Sequence, residues 1–223
     1  MIPFRRVAFS LIATLTLSAA CSAADGSMLK TPPGAKVAVE VFEDLECPDC
    51  ARWYPVLFEV AGAHKVPVVL HDFPLPMHPW SLDAAVYARF FDTKSQKLGE
   101  DFRGYIYKNQ PSINKSNLQQ WIQKFADENK VPLPFAVDSE GKLKALIMAD
   151  RDLGSRAGLQ HTPTIFVVGH GGPPSPYTEI NEVQDMEQNK AMLGQAINDM
   201  EKKVGPVAAP STPKTRSHKK KAS

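Results

Sequence analysis

Hydrophobic and polar positions along the chain predict a strand, a helix and a second strand at the start of the folded region. Val37 to Phe42 carries branched side chains at every second position, which is typical of a strand. Ala51 to Ala63 repeats apolar side chains near helical spacing, and Val66 to Phe73 is a second apolar strand that tolerates Pro67 near its start. This order is a βαβ unit, so we expect parallel strands and a right-handed crossover.

The middle of the chain is patterned for helices, and strand patterning does not return before residue 164. Helix-capping residues precede several apolar repeats in this stretch. We expect four helices here: one capped by Ser81 and running through Phe91, one over Lys97 to Asn109, one capped by Asn114 or Ser116, and one capped by Ser139 and running through Leu153.

The last part of the folded region predicts a hairpin followed by a helix. Thr164 to Val168 is an apolar strand, Gly169 to Pro176 is a turn, and Tyr177 to Ile180 is an edge strand. Glu182 to Val204 has the spacing of an amphipathic helix. The pattern therefore predicts an α/β domain over residues 37–204, with βαβ and ββα halves and a helical insertion at about 81–158.

The first 24 residues have the order of a secretory signal peptide. Arg5 and Arg6 precede an apolar run from Val7 to Ala20, which is short for a membrane span, and small residues follow. Two processing routes fit: cleavage before Asp25, or a lipobox-like route in which Cys21 is acylated. Either route removes Cys21 from disulfide chemistry, and an uncleaved anchor would leave the protein in the same exported compartment.

Two polar segments flank the predicted domain. Residues 25–36, which contain Pro32-Pro33-Gly34, are interpreted as a linker. Residues 205–223 form a basic, low-complexity tail without an apolar face, which we expect to be disordered. The tail either adds solubility or attracts the protein to anionic lipid.

Composition and charge narrow the class of protein. With 223 residues, 43% hydrophobic and 22% charged, the chain is long enough for one ordinary domain and is neither disordered nor membrane-embedded along its length. Residues 25–204 hold 19 of the 26 basic and all 24 acidic residues, so the predicted domain carries a net charge of about −5. The remaining bases lie mainly in the tail, so no nucleic-acid partner is expected.

The candidate chemistry lies in Cys47 and Cys50, which Pro48 and Asp49 separate at the predicted strand-to-helix turn. A helix N-terminus offers unpaired N–H groups and the positive end of the helix dipole, which favour the thiolate of Cys47. Pro48 suits the first helical position because its φ is fixed and its missing N–H is not needed there. We expect Cys47 to be the nucleophile and the more buried Cys50 to be the resolving thiol.

Two cysteines at this spacing also occur in zinc sites and in inert structural disulfides. Zinc would need two further ligands, and the histidines ahead of the basic tail lack the paired spacing of metal sites: His64, His71, His78, His161 and His170. We therefore expect no metal and favour redox exchange over a structural disulfide.

A second motif, His161-Thr162-Pro163-Thr164, precedes the third apolar strand. Together with the run from Phe42 to Cys50, the segment Asp72-Phe73-Pro74-Leu75 and the helical insertion, this motif makes residues 36–204 similar to the thioredoxin superfamily. The sequence resembles specifically the DsbA-like exported thiol:disulfide oxidoreductases, including the DsbG- and BdbD-like branches. The resemblance implies a thioredoxin-like fold with an inserted helical domain, a cis Pro163 against the reactive disulfide, and main-chain hydrogen bonds from Thr162 to an extended substrate.

The resemblance also implies function, partners and compartment. It predicts an enzyme of the bacterial periplasm or cell envelope that exchanges a Cys47–Cys50 disulfide with cysteine thiols of exported proteins during oxidative folding. A DsbB-like or vitamin-K-epoxide-reductase-like (VKOR-like) membrane protein would re-oxidise it, and no cofactor beyond the redox-active disulfide is expected. The alternatives are a periplasmic reductase or isomerase and a non-catalytic thioredoxin-fold binding or chaperone module.

The sequence departs from the strongly oxidising relatives in the charge around Cys47. Asp49 stands where those relatives carry histidine, and Glu46 adds a further carboxylate. Carboxylates disfavour a nearby thiolate, so we expect a less oxidising site, although the helix dipole and Arg52 act in the opposite direction. His161, at a position that relatives often give to glycine, is another candidate modulator.

The buried acid that many relatives place six residues before the first cysteine is absent from this sequence. Val41 occupies that position. Glu40 and Asp44 are the candidates that the sequence offers to replace the acid as a proton relay.

Overall fold

The computed structural model describes residues 23–180 and 185–205 and has the predicted order of elements. Four strands form one sheet in the order β2-β1-β3-β4, in which β1 and β2 are parallel and the other two pairs are antiparallel. The βαβ and ββα halves are therefore confirmed. Their elements are β1 (Val37–Glu43), α1 (Pro48–His64), β2 (Val68–Asp72), β3 (Thr164–Gly169), β4 (Tyr177–Ile180) and a closing helix, Met186–Lys203.

The helical insertion lies between β2 and β3. Its elements are α2 (Ser81–Asp92), α3 (Gln96–Asn109), a short 3₁₀ helix (Gln110–Ser112), α4 (Leu118–Glu128) and α5 (Lys142–Arg156); the closing helix is thus α6. Asn117, rather than the predicted Asn114 or Ser116, is the N-cap of α4. The rings of Phe91 and Phe102 lie 4.7 Å apart, and both pack on α4. The insertion therefore has an aromatic core of its own.

Two of the predicted helix caps are wrong because carboxylates take the place of serines. Trp80, not Ser81, is the N-cap of α2, and the Glu46 carboxylate accepts hydrogen bonds from both of their N–H groups at 2.8 and 3.1 Å. At the start of α5, the Asp138 carboxylate rather than Ser139 accepts two backbone N–H groups, each at 2.9 Å. Ionised acceptors make stronger hydrogen bonds than hydroxyls and suit the positive end of a helix.

Strand β1 is the centre of the fold, and all seven of its residues are buried. Val39 and Val41 face one hydrophobic cluster with α1 and α6, whereas Phe42 belongs to a cluster on the other face of the sheet. A strand covered on both faces is expected to be apolar throughout. The two acids of β1, Glu40 and Glu43, are consequently held inside the protein.

The segment predicted as a linker is partly packed against the sheet. Gly26–Met28 forms a 3₁₀ helix, and Leu29, which is 2% exposed, joins the same cluster as Phe42. Ala24, the last residue of the predicted signal peptide, is 6% exposed and belongs to this cluster too. The predicted signal peptide through residue 22, including Cys21, the predicted start of α6 at 182–184 and the basic tail beyond residue 205 lie outside the described residues. Within the described part of the chain, no helix is long and apolar enough to cross a membrane.

Candidate active site

The two cysteines lie at the junction of β1 and α1, as the sequence predicts. Cys47 is the N-cap of α1 and Pro48 is its first residue. The Cys47 N–H donates to the carbonyl of Asp44 at 3.0 Å, and the Cys47 carbonyl accepts the N–H of Ala51 at 3.2 Å. Both cysteines are free thiols, 6% and 3% exposed.

The loop before β3 brings the second motif against the first. The Thr162–Pro163 peptide bond is cis, and Thr162 is buried. The Cys47 thiol donates to the Thr162 carbonyl at 3.2 Å across 115 residues of sequence. The fold therefore joins the two motifs that were singled out separately along the chain.

The two thiols differ strongly in acidity. The hydrogen bond from the Cys50 thiol, together with the N–H groups of Asp49 and Cys50, lowers the pKa of Cys47 to about 6 against the opposing effect of burial. Burial raises the pKa of Cys50 well above its ordinary value, although the N–H of Asp44 reaches its sulfur at 3.4 Å. Cys47 is therefore the thiol that ionises near neutral pH.

The acidic side chains beside Cys47 each have a partner. The Asp49 carboxylate forms an ion pair with Arg52 at the surface, where the side chains are 40% and 61% exposed. The Glu46 carboxylate binds the first N–H groups of α2, and burial raises its pKa. These carboxylates therefore place less uncompensated negative charge on Cys47 than the sequence suggests.

His78 lies beside the turn that carries the cysteines. Its Nδ1 is 2.6 Å from the buried Asp44 carboxylate, which also accepts the N–H of Leu75 at 2.7 Å. The candidate modulator His161 is exposed, and among the described contacts it contributes its backbone carbonyl, which accepts the Thr164 hydroxyl. Within residues 23–180 and 185–205, no three His, Cys, Asp or Glu side chains are grouped to hold a metal ion.

The sequence analysis did not propose Glu43 as a buried acid that acts on the resolving thiol. Its carboxylate lies 3.0 Å from Arg103 Nε and accepts the Tyr107 hydroxyl at 2.9 Å. Burial raises the pKa of Glu43 to about 7, and its charge contributes to the raised pKa of Cys50. Glu40, one of the two candidates for the proton relay, has its carboxylate 2.7 Å from Nε2 of His71 on β2. The predicted strand ended at Phe42, whereas β1 includes Glu43, so the prediction did not place this acid inside the protein, where it must be paired.

Comparisons with known proteins agree with this geometry. The family model described as thioredoxin (Thioredoxin_4) matches residues 25–186. No curated protein matches the chain.

Three solved structures illustrate the likeness of the fold. Wolbachia pipientis alpha-DsbA1 has a TM-score of 0.61 and 17% identity, covering 80% of this chain and 94% of that one. Pseudomonas aeruginosa DsbA2 has a TM-score of 0.54 and 18% identity, covering 78% and 93%. Proteus mirabilis ScsC in a transitional conformation has a TM-score of 0.57 and 17% identity, covering 78% and 72%. At these identities the likeness concerns the fold, and it confirms the predicted thioredoxin-like class with helices inserted between β2 and β3.

Proposed function

The chain belongs to the DsbA-like thioredoxin family and is a thiol:disulfide oxidoreductase, and from this premise we propose that it oxidises cysteine pairs in exported proteins. The observation that carries the proposal is the contrast between Cys47, whose pKa is lowered to about 6, and Cys50, whose pKa burial raises. A thiol of low pKa is a good leaving group, so attack on the substrate sulfur of a mixed disulfide readily releases Cys47 and passes the disulfide on to the substrate.

The exchange proceeds in two displacements. A substrate thiolate attacks the Cys47 sulfur, the Cys47–Cys50 bond breaks, and Cys50 leaves with the electron pair and takes up a proton. A second substrate thiolate then attacks the substrate sulfur of the mixed disulfide and releases Cys47 as a thiolate. Two electrons pass from the substrate to the enzyme. The short contact between Thr162 and Cys47 supports a role for Thr162 and Pro163 in binding the substrate backbone.

Continued turnover needs an acceptor for these two electrons. A DsbB-like or VKOR-like membrane protein that passes them to a quinone would restore the Cys47–Cys50 disulfide. The family resemblance supports this partner class.

The acidity of Cys47 gives an expected reduction potential. A pKa of about 6 lies between about 7 for thioredoxin and about 3.5 for DsbA. Each unit by which the pKa of Cys47 lies below 7 stabilises the reduced form and raises the reduction potential by about 30 mV. The reduction potential of this protein is therefore expected between about −250 and −190 mV. Equilibration with glutathione buffers measures it, and a value at or below about −270 mV, that of thioredoxin, would contradict an oxidase.

Net reduction or isomerisation is the second candidate. The Asp49 carboxylate in the active-site turn favours it, because negative charge beside Cys47 destabilises the reduced form of the site. The reduction potential distinguishes an oxidase from a reductase or isomerase. A trapping experiment distinguishes these enzymes from a non-catalytic binding module.

Trapping tests whether the pair exchanges disulfides at all. Cys50→Ala is expected to accumulate mixed disulfides, because the Cys47 thiolate attacks disulfides of exported proteins, displaces one substrate thiol, and then lacks the neighbouring Cys50 thiol that would release it. The matched variant Cys47→Ala should accumulate none. If Cys50→Ala gives no adducts under either oxidising or reducing conditions, the enzyme does not act by this exchange.

Export of the protein is part of the same proposal. The apolar run after Arg5 and Arg6 supports secretion, and mass spectrometry of the mature N-terminus distinguishes a chain beginning at Asp25 from one beginning at an acylated Cys21. A mature chain that retains Met1 and remains in the cytoplasm would contradict export. Contact with the membrane is proposed through a lipid on Cys21 or through the basic tail.

A further inference from the structure

One side chain of the helical insertion binds two backbone carbonyls at the start of the reactive turn. Gln110 is the first residue of the 3₁₀ helix that follows α3. Its amide nitrogen donates to the carbonyl of Leu45 at 2.9 Å and to the carbonyl of Cys47 at 3.1 Å. A primary amide has two N–H donors, so one group can serve both carbonyls.

Both carbonyls help to fix the position of the Cys47 sulfur. Cys47 has φ −81° and ψ 122°, an extended conformation, and no side chain caps its helix. In this conformation, the N–H groups of Asp49 and Cys50 stabilise the Cys47 thiolate. A rotation of the peptide planes before α1 would move these donors relative to the sulfur, and it would also pull the carbonyls away from Gln110.

Gln110 also satisfies a buried group. Leu45 is 1% exposed, so its carbonyl has little access to water. A buried carbonyl without a partner is costly, which gives the turn a strong preference for the conformation that Gln110 binds. The other hydrogen bond adds to the first helical bond of α1, since the Cys47 carbonyl already accepts the N–H of Ala51.

We propose that Gln110 is a positioning residue for disulfide exchange: it holds the turn in the conformation in which the N–H groups at the start of α1 meet the Cys47 sulfur. The inference rests on the proposed function, in which Cys47 is the exchanging thiol. It assigns the helical insertion a part in setting the reactivity of Cys47, through a side chain that does not touch the sulfur.

Gln110→Met tests this role because methionine has similar length and no hydrogen-bond donor. The measurement is the rate of Cys47 alkylation against pH, together with the ultraviolet absorbance of the thiolate. The midpoint of both profiles should move upward, with about a twofold lower alkylation rate near pH 6. Gln110→Ala should give the same direction. Gln123→Met on α4, where the amide binds an exposed Asp127, is the matched control and should leave the profile unchanged.

An unchanged midpoint in Gln110→Met would overturn the proposal, even if the variant melts at a lower temperature. A shift in Gln110→Ala without one in Gln110→Met would also overturn it, because packing rather than the amide would then be responsible. Failure of the proposed function is recognised separately, since Cys50→Ala would then trap no substrate. The midpoint shift in Gln110→Met would still establish the positioning of Cys47.

Discussion

The buried carboxyl group of Glu43 is expected to leave a distinct mark on the pH dependence of stability. Glu43 is 3% exposed, and burial raises its pKa from 4.5 to about 7. Gln has nearly the same shape and does not titrate, so Glu43→Gln removes this proton equilibrium. In the variant, Arg103 keeps its ion pair with Asp92 at 2.9 Å, so the buried guanidinium still has a charged partner.

The sign and size of the effect follow from the two pKa values. Between pH 4.5 and 7 the unfolded chain releases the Glu43 proton while the folded protein retains it, so the free energy of unfolding falls as pH rises. A difference of 2.5 pH units corresponds to about 3 kcal/mol, and no further change arises above pH 7. The variant lacks this fall. Its stability relative to the wild type should therefore rise by about 3 kcal/mol across that interval.

Urea unfolding of both proteins at several pH values from 4 to about 8 measures the difference. Glu140→Gln, at a carboxylate that is 69% exposed, is the matched control for the charge change and should show no comparable trend. A difference between the wild type and Glu43→Gln that stays constant with pH would refute the reasoning, because the folded protein would then hold Glu43 no more tightly protonated than the unfolded chain.

Three further outcomes are expected. Asp49→Asn should raise the reduction potential by about 5–20 mV and Arg52→Gln should lower it, since charges at a helix N-terminus contribute about 0.3–1 kcal/mol; equal potentials of both variants in glutathione buffers would contradict this. Although burial opposes it, two hydrogen-bonded carboxylates raise the pKa of His71 to about 9. The stability of the wild type relative to His71→Gln should therefore fall between pH 6.5 and about 9 in urea titrations. Alkylation followed by mass spectrometry should label Cys47 before Cys50 with a midpoint near pH 6, and simultaneous labelling would show that the thiols are equivalent.

The order of elements and the reactive pair were predictable because both are encoded locally. The alternating valines of β1 and the apolar repeat of α1 each carry their signal within a few residues. Cys47 and Cys50 take their geometry from the same strand-to-helix turn. The contact between Cys47 and Thr162 was accessible only through the resemblance, since 115 residues separate the two.

The partners of polar groups were not predictable in this way. Glu46 displaced Ser81 as the capping group of α2, although it lies 35 residues earlier in the chain. The burial of Glu43 depends on Arg103 from α3, and the role of Gln110 depends on how the insertion packs. These contacts form only when distant parts of the chain pack together. Helix and strand propensity and hydrophobic periodicity report only on residues that are close in sequence.

The packing of the N-terminal segment sets how far the domain can stand from a membrane. Ala24 already belongs to a core cluster, so only Ser22 and Ala23 separate Cys21 from the folded body. Three residues of extended chain span about 10 Å. An acyl group on Cys21 would therefore hold the folded domain within about 10 Å of a bilayer surface, whereas cleavage before Asp25 would remove both this tether and the Ala24 side chain from the core cluster.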